Sequence, residues 1–248
     1  MNDLLKYTLR IADNSLILAQ RMSEWCSYGP TLEEDIALSN IALDLFGQAN
    51  GFLQYAAQID KKRSADDFAF KRNADEFFNH QLVEQENGDF GRTIIRNLIN
   101  DTFYFLFYQE LTKSNDEMLA GLAQKSLKEI KYHLRHSQNW TLRLGDGTIE
   151  SNKKVQDALN NLWQFTGELF EMDDVDKNML QQKIGVNNIQ LRKKWDDHIN
   201  KIIKKANLTR PEENNMQTGN REGKHTKYLS ELLTEMQHIP RKYPDAKW

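Results

Sequence analysis

Glu129, His133 and His136, in the stretch KEIKYHLRHSQNW, come nearest in type and spacing to metal chemistry. Four residues apart on a helix, Glu129 and His133 share a face and reach one another. A carboxylate and an imidazole on one face supply part of a di-iron centre. The full set in a helical bundle is about four carboxylates and two histidines, with Glu-x-x-His on two helices. Hard oxygen ligands hold the iron and imidazoles complete its shell. The Glu-x-x-His form itself is missing, because the residue three after Glu129 is Tyr132. A core histidine hydrogen-bonded to a neighbour is the simpler reading of His133.

The other helices offer less. In LEEDIALSNIALDLFGQANGFLQYAAQ (32–58) the natural slot for the motif holds Leu45 and Gln48. Leucine has no donor atom, and an amide brings no negative charge. Starting the motif at the flanking Asp44 places Gly47 at its end. Gln20, beside Leu16, is the inward polar residue expected on the first helix. Thr102 and Gln109 are those of the third, with Asp101 and Glu110 off its face. Cys26 has no base nearby in sequence and reads as a helix-end packing residue. GNREGKH (219–225) lacks the glycine pattern and context of a phosphate loop. KKRSADDFAFKR reads as a solvated surface. So do Lys201, Lys204, Lys205 and Arg210, although their spacing also suits an acidic partner or a CoA phosphate.

These residues sit on long helices. The chain has few prolines, and Pro211, Pro240 and Pro244 fall near its end. Nothing shows an alternating strand pattern bounded by turn residues. The first helix is expected over about Leu4–Trp25, with Leu5, Leu9, Ala12, Leu16 and Ala19 as its core stripe. Thr31 and Glu34 form a capping box. The helix they open runs to about Asp60 and buries Leu38, Ile41, Ala42, Leu45, Ala49, Phe52, Leu53 and Ala56. A short helix is predicted around Ala65–Asn79, with a turn at Asn87-Gly88. The third long helix covers Phe90–Thr112, with Ile95, Leu98, Thr102 and Phe105 along its centre. The fourth covers about Met118–Leu144, with Leu119, Leu122, Ala123, Ile130, His133, Trp140 and Leu144 inward. Helices at about 153–171 and 187–206, a polar and mobile loop at 209–225, and a last amphipathic helix complete the chain. The expectation is an all-α, ferritin-like four-helix bundle with a crossover at residues 61–89 and extra C-terminal helices, one domain over 1–248.

Composition narrows the function classes. Apolar residues make up 39% and charged residues 28%, and the formal net charge is −3. No basic field invites nucleic acid. The single cysteine excludes an internal disulfide and a Cys-rich zinc site. No start like a signal peptide and no run of roughly 18 apolar residues is present, so a cytoplasmic protein away from the membrane is expected.

LEEDIALSNIALDLFGQA, NGDFGRTIIRN, KEIKYHLRHSQNWTLRLGDGT and GKHTKYLSELLTEMQHIPRKYPDAKW, in that order, resemble the family of non-catalytic C subunits of the bacterial phenylacetyl-CoA epoxidases. The resemblance spans essentially the whole chain. It implies a multicomponent monooxygenase that uses O2 and NADPH to convert phenylacetyl-CoA to its ring 1,2-epoxide in phenylacetate catabolism. The di-iron centre belongs to the catalytic A subunit. The C subunit is its structural partner, of similar fold and without the metal site. The resemblance thus implies that this chain has no catalytic, cofactor-binding or metal-ligating residue and no catalysis of its own. The catalytic A subunit and other epoxidase components would be its partners, with self-association open when the chain is alone. Aligning the catalytic subunit's ligand motif on Gly47 puts Leu45 and Gln48 in the ligand slots and leaves Asp44 and His133 as relics. The exposed aromatics of residues 68–78 and the third helix would contribute to the apolar interface with the catalytic subunit. Two alternatives remain at this point: a di-iron oxygenase using Glu34, Asp44, Glu129 and His133, or a small-molecule-binding bundle that uses the space vacated by metal.

Overall fold

A computed structural model describes residues 2–244 and 246. The chain divides into two compact units, one of residues 1–86 with 219–248, the other of residues 87–218. Among the described residues the regular elements are helices, without strands, which gives the all-α class. The four long helices and the extended connection between the second and third are those expected of a ferritin-like chain.

The first unit is built on α1 (Asp3–Ser23) and α2 (Leu32–Asp60), which fold back on each other as a helical hairpin. The side chain of Asn2 caps α1 by accepting from the Leu4 N–H, and Thr31 caps α2 by accepting from the Glu34 N–H. The expected apolar residues of α2 are all buried. Helix α1 departs from a one-sided stripe, because every residue from Tyr7 to Ala19 is buried. With α2 and the short helix Gln81–Glu84 both against it, α1 has little surface left to face water. Gln20 is therefore not its inward polar residue. It is half-exposed, while Thr8, Arg10, Asp13, Asn14 and Ser15 are buried.

The connection after α2 is broken into pieces rather than forming one helix to Asn79. It comprises α3 (Ala65–Phe70), a 3-10 turn (Ala74–Glu76) and α4 (Gln81–Glu84). Capping boxes at Ser64/Asp67 and Asn73/Glu76 restart the chain twice. Phe68 and Phe77 are fully buried, which corrects the expectation of exposed aromatics there. The last helices, α10 (Lys227–Met236) and α11 (His238–Lys242), belong to this unit. Gln237 fastens them by donating to the carbonyls of Ala69 and Arg72. Cys26 is exposed and free rather than packed at a helix end.

In the second unit α5 (Phe90–Leu111) is central. Helices α6 (Glu117–Gly145), α7 (Ile149–Leu162) and α9 (Asn188–Lys205) pack against it. The Trp195 indole N–H donates to the Ile99 carbonyl, and its ring meets those of Trp163 and Phe170. Phe105, Leu122, Trp140 and Leu144 lie at the margin of the core rather than inside it. Beyond Leu162 the expected helix gives way to two 3-10 turns and a further helix, α8 (Asp174–Gln181), opened by an Asp173/Asp176 capping box. No helix among the described residues is long and apolar enough to cross a membrane.

Two glycines of α6 give opposite expectations. A Cβ at Gly145 would stand 2.2 Å from the Ala206 carbonyl oxygen, whereas one at Gly121 would meet nothing within 4 Å. Gly145→Ala should destabilise by about 1–3 kcal/mol through overpacking. Gly121→Ala should stabilise by about 0.5–1 kcal/mol through helix propensity. Urea unfolding of both variants checks this; shifts of the same sign would refute the close α6–Ala206 approach.

Candidate functional site

On α5 and α6 the polar core is formed by Asp101, Thr102, His133 and Ser137, all buried. Asp101, expected off the face, turns inward. It lies three residues after Leu98 and three before Tyr104, both buried, and so follows them into the core. The Ser137 hydroxyl donates to Asp101 Oδ2 at 2.9 Å, and the Thr102 hydroxyl to the Leu98 carbonyl at 2.7 Å. Burial pushes the Asp101 carboxyl up to about 6, against the nearby His133 imidazole, the Ser137 hydroxyl, the Asn100 side chain and His136, which all favour the ionised form. The cluster can hold a proton near neutral pH. His133 thus sits beside a carboxyl, but that carboxyl is Asp101; Glu129 is half-exposed one turn away.

The first unit brings different residues together. Leu45 and Gln48 are each 3% exposed, so the α2 face where a ligand pair would stand is buried with one hydrocarbon and one neutral amide. Asp44 and Glu34 are half-exposed. The buried carboxylate of α1, Asp13, is clamped by both terminal nitrogens of Arg72 and accepts from the Phe78 N–H at 3.0 Å. Arg72 also donates to the carbonyls of Phe68 and Glu76 and lies over the Phe77 ring at 4.1 Å.

Glu84 is the other fully buried carboxylate of this unit. It accepts from His225 Nδ1 at 2.5 Å, the Thr226 N–H at 2.8 Å, the Thr226 hydroxyl at 2.6 Å and Asn79 Nδ2 at 3.2 Å. The second nitrogen of His225 faces the Phe77 carbonyl at 2.9 Å, so the charged ring satisfies both acceptors. Burial opposes that charge, yet the Glu84 hydrogen bond and charge, with the Phe77 carbonyl and Asp13, raise the His225 pKa above its ordinary value. His80 goes the other way. Burial first, then the charges of Arg221 and Arg10, lower it to about 3 and keep it neutral. None of Asp13, Arg72, Glu84 or His225 stands out in the sequence. The signal for Asp13 is its place one turn from both Leu9 and Ile17, while the other three depend on contacts distant in sequence.

A di-iron centre does not fit this donor set. The candidate residues Glu34, Asp44, Glu129 and His133 offer one buried side chain, and Asp13 and Glu84 already have full sets of partners. Among the described residues no group of three or more His, Cys, Asp and Glu side chains is arranged to hold a metal ion.

These networks make two measurable demands. Ionising Asp101 is harder in the folded protein than in the unfolded chain, where its reference pKa is 3.8. Stability is therefore lost as pH rises from about 4 to about 6, by up to about 3 kcal/mol. Asp101→Asn should flatten this part of the stability profile relative to wild type, measured by urea unfolding from pH 4 to pH 7; parallel profiles would contradict it. Glu84→Ala leaves a buried imidazolium and the Thr226 donors without their acceptor and should cost about 3–5 kcal/mol. Limited proteolysis should then open the chain first around residues 219–244.

Comparison with known proteins places the chain. The family model described as "Phenylacetic acid catabolic protein" matches residues 1–248. The chain is also similar to the C subunit of the 1,2-phenylacetyl-CoA epoxidase of Escherichia coli (strain K12), with 44% identity over the full length of both. This chain belongs to the phenylacetic acid catabolic protein family.

Proposed function

We propose that the chain is the C subunit of a phenylacetyl-CoA epoxidase and serves phenylacetate catabolism as a structural, metal-free partner of a di-iron catalytic subunit. The full-length similarity supports the assignment as a C subunit. The observation that carries the structural role is the burial of Leu45 and Gln48 on α2, where a bundle of this kind would present a carboxylate and an imidazole. Three buried carboxylates have other work. Asp13 and Glu84 hold the first unit together, and Asp101 is surrounded by a hydroxyl and imidazoles instead of further carboxylates. Four anionic side chains in a core without metal would repel one another and each would carry a desolvation cost. Leu45 at the ligand position avoids that cost and lets the bundle stand without iron.

In this role the chain keeps the catalytic subunit in its active shape and presents surface to other components of the complex. O2 activation and ring epoxidation take place on the partner. Co-expression with a catalytic subunit in iron-supplemented medium, followed by size-exclusion chromatography and metal analysis of the separated chains, tests the proposal. The expected result is one co-eluting complex with about two irons per catalytic chain and none above background on this one. Stoichiometric iron on this chain purified alone, or separate elution at micromolar concentration, would overturn it.

A further inference from the structure

Lys128, Lys131 and Arg135 follow one another on a single face of α6, three and four residues apart. With Phe105 of α5 and His198 of α9 they line a cleft of about 430 Å³ in the second unit, and no carboxylate lines it. None of the three cations has an ion-pair partner among the described residues. By contrast Lys113 and Arg210, elsewhere in the same unit, are paired with carboxylates. Tyr132, 41% exposed, lies between them, and the Arg135 guanidinium sits 5.5 Å over its ring. Gln138 engages the His198 ring and fixes its orientation. Burial and the charge of Lys201 lower the His198 pKa, so the ring contributes an uncharged edge beside a positive field. A chain with net charge −3 therefore carries a concave site whose charged lining residues are Lys128, Lys131 and Arg135, with an aromatic surface.

We propose that this cleft binds a phosphorylated nucleoside, its planar base on the Tyr132–Arg135 surface and its phosphates among Lys128, Lys131 and Arg135. The volume falls in the range of small-ligand sites. Guanidinium and ammonium groups are the usual phosphate partners, and a guanidinium over an aromatic ring makes a ready stacking surface for a base. An acidic protein segment would also feel the positive field, but it has no use for an exposed aromatic ring flanked by cations. The inference concerns a surface apart from Leu45 and Gln48 and does not depend on the metal-free reading.

Isothermal titration of the full chain with adenosine 3′,5′-bisphosphate, ADP and inorganic pyrophosphate tests it. Both nucleotides should bind, more weakly as salt rises from about 0.05 to about 0.3 M. The Lys128→Glu/Lys131→Glu double variant, whose fold is checked by circular dichroism, should lose about tenfold or more in affinity for all three probes. Tyr132→Leu should weaken the nucleotides and leave pyrophosphate unchanged. Tighter binding of the bisphosphate than of ADP would identify a CoA-type nucleotide, and the reverse order a nucleoside diphosphate. No heat at millimolar nucleotide, unchanged affinity in the double variant, or tighter binding of poly-glutamate than of either nucleotide would each overturn the proposal.

Discussion

A carboxylate removed from water must find its donors inside the fold, and Glu84 finds four. That requirement organises the first unit. The short helix α4 alone cannot satisfy the group, so a segment more than a hundred residues later supplies His225 and Thr226. Arg21 of α1 adds to the same junction, donating to the Glu84 and Tyr228 carbonyls. Asp13 and Arg72 repeat the solution between α1 and the segment after α3. Leaving any one partner behind would strand a buried charge, and this is far more costly than the net gain from forming the pair.

Asp101 shows the same physics with a different outcome. It receives a hydroxyl hydrogen bond from Ser137 and has Asn100, His133 and His136 nearby, but burial outweighs what they contribute. Its carboxyl therefore stays closer to the protonated form. Two kinds of buried acid are thus present in one chain. Asp13 and Glu84 join distant segments through basic partners, while Asp101 on the α5–α6 face is a weaker acid than water would make it. Neither kind resembles a ligand cage, in which several carboxylates turn toward one shared cation.

Much of this is legible in the residues themselves. The apolar spacing of α2, the Thr31 cap and the end of α6 near Gly145 follow from local rules, and each stands close to its expected place. Leu45 and Gln48 are recognisable as the wrong residues for metal because the test needs only their side-chain chemistry. What local rules miss is tertiary. The polar residues of α1 look like an outer face until α2 and α4 are packed on it, and Phe68 and Phe77 look exposed until Arg72 covers them. Helix α8 is hidden in the sequence because its eight residues give too few turns for a periodic signal. Asp101 is misplaced by the width assigned to the buried face of α5, a helix apolar nearly all round.

The order of the chain gives the first unit an unusual history. Its founding helices α1 and α2 leave the ribosome early, but residues 219–244 arrive after the whole of the second unit has been made. Until then Glu84 has neither the imidazole nor the threonine that neutralises its burial, with 141 residues of chain separating it from His225. The second unit is contiguous and has no such wait, so it is the part of the nascent protein free to mature first. The first unit is completed last, and a ribosome that stalls within the final turns leaves unfinished the structure it began with.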